Sequence, residues 1–432
     1  MSAREKERNG FFSSIHYKVG TIAAVPALLL CAMLLLMLLL DIFIPPMKNG
    51  QYVVFPAAAR IISLVSILCM AACFGDELEI DSLHVDLKDI LLALFAVCML
   101  ISTAVNGISH DAIFGVAYRY VGVYDLMLFI FVYMYTAGRR WKKDLKMIFL
   151  VSFMAVSDLI AAAFFFNLAT GRIIAFNDKL EPAAIFYHGN HYGYFLVMVI
   201  AVSAGCFISY KGRMAAMGAA SLFISLGALA MNRSMGGIIA AGSVLTIMII
   251  VSAAGKGDAG RRALSLLAVL AIAAAAALVL VRPLREDMIQ TASEFLQIIS
   301  GDNNIYAGNG RWGIWQYVAE YIADYPVWGY GCEGIADIMK DYTLTTSPHN
   351  EPLTYAVFFG IPAAVFYCAA VITAVIKGIR NRRHDPVNGI AAYAVLGYFL
   401  SSIFGLAFFY TTPFEFIFLG LAAHSTNYSN FE

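Results

Sequence analysis

The chain has 432 residues, of which 61% are hydrophobic and 13% charged, and its 29 Lys and Arg residues balance its 29 Asp and Glu residues. A soluble domain of this length would leave much of that apolar surface exposed to water, so the composition excludes a soluble protein and predicts a polytopic membrane protein. A net charge of zero gives no reason to expect a nucleic-acid partner. Nearly all of the cysteines lie in apolar runs, so neither a disulfide framework nor a cysteine metal site is predicted.

Twelve apolar runs approach the ~20 residues that a helix needs to cross ~30 Å of hydrocarbon. The sequence therefore predicts an all-α polytopic membrane protein with about 12 transmembrane helices. The runs lie near 20–43, 54–74, 89–105, 121–138, 147–168, 190–210, 214–231, 235–254, 263–281, 353–376, 388–408 and 413–424. The last of them is short.

Basic residues set the predicted orientation, because cytoplasmic loops carry an excess of Lys and Arg. With the N-terminus inside, 19 of the 29 basic residues fall in inner segments, so both termini are predicted to be cytoplasmic. Three regions follow. Residues 1–281 hold transmembrane helices 1–9, residues 282–351 form one large extracytoplasmic loop, and residues 352–432 hold helices 10–12 and a C-terminal tail.

The predicted loop contains two amphipathic helices. From Glu286 to Ile299 apolar side chains recur at helical spacing, and Gly301 ends the pattern. A second helix is predicted to begin after Asn309 and to end by Tyr325, because Pro326 disfavours a helix before itself. Both are too polar to span a bilayer, and we expect them to lie along a membrane surface or to cap a cavity.

Polar side chains gather at the predicted outer ends of the spans. An arginine at a membrane boundary is costly unless it has an anionic partner, so each is a functional hypothesis. The joints between spans 3 and 4, 5 and 6, and 7 and 8 carry, on the same side as Arg311 and His349, the residues Arg119, His188, Asn190, His191 and Arg233.

Four short motifs, taken in order, resemble the O-antigen ligase and O-antigen polymerase family of bacterial polytopic enzymes. They are the turn Arg233 to Gly237; Gly310 and Arg311 followed by Trp315; Pro326 with Gly329 and Gly331; and Pro348-His349-Asn350-Glu351 before Gly360-Ile361-Pro362. The resemblance covers roughly residues 118–376. It implies a GT-C-like helical fold with an outward-facing cavity under the loop, in the bacterial cytoplasmic (inner) membrane.

The resemblance also implies the chemistry. Glycan would pass from an undecaprenyl diphosphate-linked donor to a glycan or lipid-linked acceptor, with inversion and without a metal or other cofactor. His349 would remove the acceptor proton, because a histidine titrates near neutral pH. Arg233, Arg311 and Arg119 would bind the diphosphate, because a guanidinium binds phosphate oxygens bidentately. Asn190, His191, Asn350 and Glu351 would support them.

Each side chain also has a purely structural interpretation. Arg311 could stack on Trp312 or Trp315, Arg233 could reach the lipid headgroups, and Arg119 could belong to an interfacial aromatic belt. His349 could cap the helix that follows it. His188 and His191 have helical spacing for a metal, but no third ligand is near them in the sequence.

Two other functions are weighed. A metal-dependent oligosaccharyl or mannosyl transferase would be expected to carry acidic residues in its first external loop, and residues 44–52 have none. A transporter or flippase of lipid-linked glycans would show internal symmetry and charges at mid-membrane, where Asp125 and Asp158 are the only acids expected within spans. Glycan transfer is favoured over both, without a choice between ligase and polymerase.

Overall fold

The computed structural model describes residues 24–43, positions 57, 60, 61 and 64, and residues 85–423 except 117–118, 139–140, 142, 172–182, 187, 256, 303, 337, 340–346 and 410. Within these residues every regular element is a helix, so the predicted all-α class is confirmed. The predicted span 54–74, the N-terminus and the C-terminal tail fall mainly or wholly outside the described residues.

Fifteen helices are described. In chain order they are α1 (Val25–Phe43), α2 (Leu87–Asn106), α3 (His110–Phe114), α4 (Val123–Gly138), α5 (Lys143–Thr170), α6 (Gly189–Ser209), α7 (Gly212–Asn232), α8 (Met235–Ala253), α9 (Asp258–Leu280), α10 (Arg282–Ile299), α11 (Arg311–Asp324), α12 (Glu351–Phe359), α13 (Ile361–Asn381), α14 (Pro386–Ser402) and α15 (Thr412–Ala423).

Seven described helices are long and apolar enough to span a membrane, namely α2, α5, α6, α7, α8, α9 and α13. The chain is therefore a multi-pass membrane protein. Twelve full spans are not confirmed, because α4 and α15 are apolar but shorter than a full span. Helix α14, with 17 residues, is also short of the ~20 needed.

Helix α6 lies at the centre of the bundle. Every residue from Tyr192 to Cys206 is buried, and the helix packs against α7, α8 and α14. A helix that is apolar on all sides must be enclosed by protein or lipid. In α6 the enclosure is protein, whereas α9 exposes most of its equally apolar surface and is expected to face lipid.

The predicted span 353–376 is not one helix. It is divided at Gly360, where α12 ends and α13 begins with a φ of 91° that favours glycine. A Cβ at Gly360 would lie 1.9 Å from the carbonyl oxygen of Val327, so only glycine allows the two backbones to meet. Pro362 then occupies the first turn of α13, where its missing N–H costs nothing.

The segment 326–331 forms hydrogen bonds with the backbone N–H and carbonyl groups that this break leaves unpaired. The N–H groups of Tyr330 and Gly331 donate to the carbonyls of Val357 and Phe358 at 2.9 and 2.8 Å. Unpaired backbone groups are costly at membrane depth, and the inserted segment replaces the bonds that a continuous helix would have made. The sequence motifs around Gly329 and Gly360 are therefore two sides of one contact.

Both helices predicted between Glu286 and Tyr325 are confirmed. Helix α10 covers the predicted pattern and begins four residues earlier, and α11 ends at Asp324, directly before the predicted limit. On α10 only Leu284 is buried, and Ile289, Phe295 and Leu296 are exposed on one face. That apolar face turns away from the rest of the described protein.

Candidate active site

His349 lies in the short segment that leads into α12. The cap of this helix is Asn350, whose Oδ1 accepts a hydrogen bond from the N–H of Leu353 at 3.0 Å. His349 itself has a φ of 51°, a left-handed conformation that is strained for a residue with a side chain. The structure therefore assigns the capping role to Asn350, and the backbone strain at His349 needs another explanation.

Helix α11 holds this segment in place. The indole Nε1 of Trp315 donates to the carbonyl of Pro348 at 3.0 Å, and the Oγ of Ser347 accepts from the N–H of His349 at 3.4 Å. Trp315 also lies beside the ring of Phe404, with 6.2 Å between ring centroids. The loop helix thus fixes the backbone on which the histidine stands.

The surroundings of His349 favour its neutral form. Burial first, and then the charges of Arg311, Arg119 and His188, together lower the pKa of His349 from 6.5 to about 4. These three groups come from different parts of the chain, and all are close enough to act on one imidazole. Arg311 and Arg119 are therefore within electrostatic range of the His349 ring, and the roles assigned to the three residues stay predictions.

Arg311 is the first residue of α11, after a turn in which Asn309 and Gly310 both have positive φ. Its Nη1 donates to the carbonyl of Gly308 at 3.3 Å. Its Nε is buried and has no hydrogen-bond partner among the described residues, and no described ring lies over its guanidinium. A buried donor without a partner is costly, so this guanidinium retains capacity for an anionic ligand.

Arg119 lies in the turn before α4 and forms an ion pair with Glu333. Only 12% of the arginine side chain is exposed, so it points into the protein and not toward a headgroup surface. Glu333 is a residue that the sequence reasoning missed. Burial raises the pKa of the Glu333 carboxyl from 4.5 to about 6, although the Arg119 charge acts in the opposite direction.

Arg233 is placed differently from the other two arginines. It ends α7 in a left-handed conformation, with a φ of 62°, and its Nε donates to Asp287 of α10 at 2.6 Å. This hydrogen bond raises the pKa of the guanidinium, and 42% of the side chain is exposed. Asp287 is the anionic partner that a boundary arginine requires, so a phosphate-binding role for Arg233 stays a prediction.

The joint between α7 and α8 is tied to the start of α6. Ser234 donates to the Oδ1 of Asn190 at 3.1 Å, and the Nδ2 of Asn232 donates to the carbonyl of Gly189 at 2.9 Å. A Cβ at Gly193 would lie 2.5 Å from that of Ser234, so the two turns are in direct contact. Asn190 is thus held as part of a structural joint beside the site.

His191 packs against Phe408, with ring centroids 4.1 Å apart, and its buried Nδ1 has no hydrogen-bond partner among the described residues. Its ring is 5.7 Å from that of His188, the N-cap of α6. Within the described part of the chain, no three His, Cys, Asp or Glu side chains are grouped as metal ligands. Both histidines act electrostatically on His349 or feel its charge, so the pair lies at the edge of the same cluster as His349.

Comparison with protein families gives a match over residues 220–368, to the family described as O-Antigen ligase. This segment therefore resembles an O-antigen ligase domain. The resemblance seen in the four motifs is thereby confirmed. No match was found among curated proteins.

The O-antigen ligase domain runs from α7 into α13 and contains Arg233, Arg311, Glu333 and His349. Arg119 and the α6 histidines come before it in the chain. The structure packs the turn before α4 against Glu333, and the start of α6 against the joint between α7 and α8. The cluster around His349 is therefore larger than the matched segment.

Glu351 lies in a different environment from His349, although only one residue separates them. Its carboxylate is fully buried and accepts hydrogen bonds from Tyr355, Tyr367 and Tyr398 at 2.8, 2.9 and 3.0 Å. The hydroxyl of Tyr367 also lies 2.8 Å from the carboxyl of Glu415 in α15. Glu351 thus joins α12, α13, α14 and α15 inside the protein.

Glu415 corrects the expectation that Asp125 and Asp158 are the only acids within spans. It is fully buried in α15, inside the predicted twelfth span. Its signal was visible as one acid in an apolar run. Glu333 and Asp287 gave no such signal, because both lie among other polar residues of the loop.

Proposed function

We propose that this protein transfers a glycan from undecaprenyl diphosphate to an acceptor hydroxyl, by direct inverting displacement and without a metal. The O-antigen ligase domain supports a glycan-transferring enzyme in general terms. The observation that carries the finer proposal is the convergence of a neutral imidazole, His349, with the guanidinium groups of Arg311 and Arg119. The acceptor is either another carrier-linked glycan, as for a polymerase, or a separate molecule, as for a ligase.

The chemistry needs a base and fixed positive charge. His349 accepts the proton of the acceptor hydroxyl while the hydroxyl oxygen attacks the anomeric carbon. The bond from that carbon to the diphosphate breaks, and its electron pair leaves with the carrier. Arg311 and Arg119 stabilise the charge that develops on the diphosphate, which is the larger contribution in a site shielded from water. A direct displacement of this kind inverts the anomeric carbon.

A small cavity supports binding of the carrier. Its lining includes the charged side chains of Arg119 and Glu333. Most of the remaining lining is apolar and includes Val121, Leu126, Phe358 and Leu406. A cationic end beside an apolar wall suits a lipid whose phosphate is joined to a hydrocarbon chain. We assign the cationic end of this cavity to the side from which a phosphate of the carrier approaches Arg119.

The proposal includes an orientation. The segment 282–351 forms the extracytoplasmic loop over a GT-C-like bundle, with both termini in the cytoplasm of a bacterial cell. Helix α10 then lies in the outer surface of the membrane, with the side of Ile289 and Phe295 in lipid and the side of Asp287 on the protein. The site opens on the outer face, where lipid-linked glycan is consumed.

The test is transfer by the purified full-length protein in nanodiscs, with extracted undecaprenyl diphosphate-linked glycan and product length read on a gel. His349→Ala should abolish detectable transfer, whereas His110→Ala, on an exposed histidine of α3, should not. Activity should survive strong chelation. Loss in EDTA with recovery on adding Mn²⁺ would instead favour a metal-dependent transferase, and full activity of His349→Ala would remove the proposed base.

A further inference from the structure

The ion pair between Arg119 and Glu333 is largely enclosed by the protein. The two side chains are 12% and 5% exposed, and the backbone N–H of Val116 also hydrogen-bonds the Glu333 carboxylate. In this arrangement the carboxylate already pairs with Nη2 of the guanidinium that the proposed function assigns to the donor. A diphosphate and Glu333 therefore compete for the same positive charge.

The backbone around Glu333 is fixed. Glu333 has a φ of 61°, a left-handed conformation that costs free energy for a residue with a side chain. Just before it, Gly331 donates to the carbonyl of Phe358 at the α12 break, and just after it a Cβ at Gly334 would lie 1.9 Å from the carbonyl oxygen of Tyr330. The backbone of this segment therefore has little freedom to move Glu333 away from Arg119. When a diphosphate binds, only the side chains of Glu333 and Arg119 can rearrange.

We propose that Glu333 is a built-in substitute for the donor diphosphate: it neutralises Arg119 between turnovers, yields the guanidinium when donor binds, and takes up one proton from solvent in doing so. This inference rests on the proposed function. It makes Glu333 a positioning residue for Arg119, and it links donor binding to pH.

The proton follows from the surroundings of Glu333. A buried carboxylate that loses its cation is costly unless it is neutralised. Burial already raises the pKa of Glu333 to about 6, and the neighbouring carboxylate of Asp111 acts in the same direction. Arg119 is the charged group that opposes them, so sharing its charge with a diphosphate raises the pKa further. Near neutral pH the carboxyl then binds a proton, and donor affinity should increase as the pH falls.

The experiment uses the full-length protein in nanodiscs and inorganic pyrophosphate as the probe. Calorimetry at pH 7 in buffers of different ionisation enthalpy counts the protons taken up on binding. Protons taken up by pyrophosphate itself are the same in number for every variant. The difference in proton uptake between wild type and Glu333→Gln is therefore the contribution of the Glu333 carboxyl. We expect this difference in proton uptake to approach one. We also expect Glu333→Gln to bind pyrophosphate on the order of tenfold tighter than wild type, because pH 7 is about one unit above the pKa of Glu333.

Two further variants make the result specific. Asp125→Asn breaks a comparable buried pair, between Asp125 and Arg60, and should keep the proton count of wild type. Glu333→Asp keeps a titrating carboxyl and should still take up a proton, which separates charge from packing. Equal proton counts and affinities in wild type and Glu333→Gln would overturn the inference alone. Absence of pyrophosphate binding in both would overturn the proposed function as well.

Discussion

At the scale of single residues, His349 combines a strained backbone with a neutral ring beside two cations. Its lowered pKa has a consequence for the enzyme's pH dependence, because only the neutral imidazole can accept a proton. In free enzyme the neutral form is lost as the pH falls through about 4. Bound diphosphate neutralises Arg311, the larger of the two arginine contributions, so in the donor complex the loss should occur at higher pH.

The resulting prediction concerns two pH profiles of the same enzyme. The acid limb of kcat/KM for the donor, which reports free enzyme, should lie below pH 5, and the limb of kcat should lie closer to the ordinary histidine pKa. Steady-state transfer measured from about pH 3 to pH 8 gives both limbs. Identical limbs would mean that the arginine charges do not act on His349 when donor binds.

Arg311 gives a second prediction at this scale. Arg311→Lys keeps the charge but loses the planar fork and its Nε, so the donor KM should rise at least tenfold while the protein still inserts and folds. Arg285→Lys is the matched control, since Arg285 is an exposed cation of the same loop. If Arg311→Lys kept the KM of wild type, a single point charge would suffice and the bidentate assignment would fail.

At the scale of elements, the break between α12 and α13 holds residues 326–331, which lie just before Glu333 in the chain, against the end of α12. Gly360→Ala would place a Cβ 1.9 Å from the Val327 carbonyl oxygen at a positive φ. We expect it to destabilise the protein by at least about 2 kcal/mol, through strain and overpacking.

Thermal unfolding in detergent measures this effect as a fall in Tm. Gly242→Ala in α8 is the control, because its Cβ would meet nothing within 4 Å and alanine favours a helix by about 0.5–1 kcal/mol. Equal Tm values for both variants would show that the backbone contact at Gly360 is not tight in the folded protein.

At the scale of the whole molecule, the orientation proposed for the loop can be tested directly. On a cysteine-free background, Ser293→Cys on exposed α10 should react with an impermeant thiol reagent in intact cells. His384→Cys, between α13 and α14, should react only after the membrane is opened. The reverse pattern would place the His349 cluster on the cytoplasmic face and exclude the proposed donor.

The sequence determined the class of this protein, the approximate position of nearly all its described helices, and the motifs of its O-antigen ligase domain. These properties depend on composition and local periodicity, which do not depend on tertiary contacts. The amphipathic α10 and α11 are examples, since Gly301 and Pro326 end their patterns locally. Arg311 and His349 were predicted as site residues in the same way, because polar residues are conspicuous beside apolar runs.

Only the tertiary structure decided which side chains meet. Glu333 pairs with Arg119 although 214 positions separate them, and Asp287 pairs with Arg233 across 54. Nothing local marks either carboxylate, because the choice of partner depends on how the loop folds back onto the bundle. The division of the predicted span 353–376 has the same cause: a helix breaks at Gly360 because another segment supplies the hydrogen bonds that the break removes.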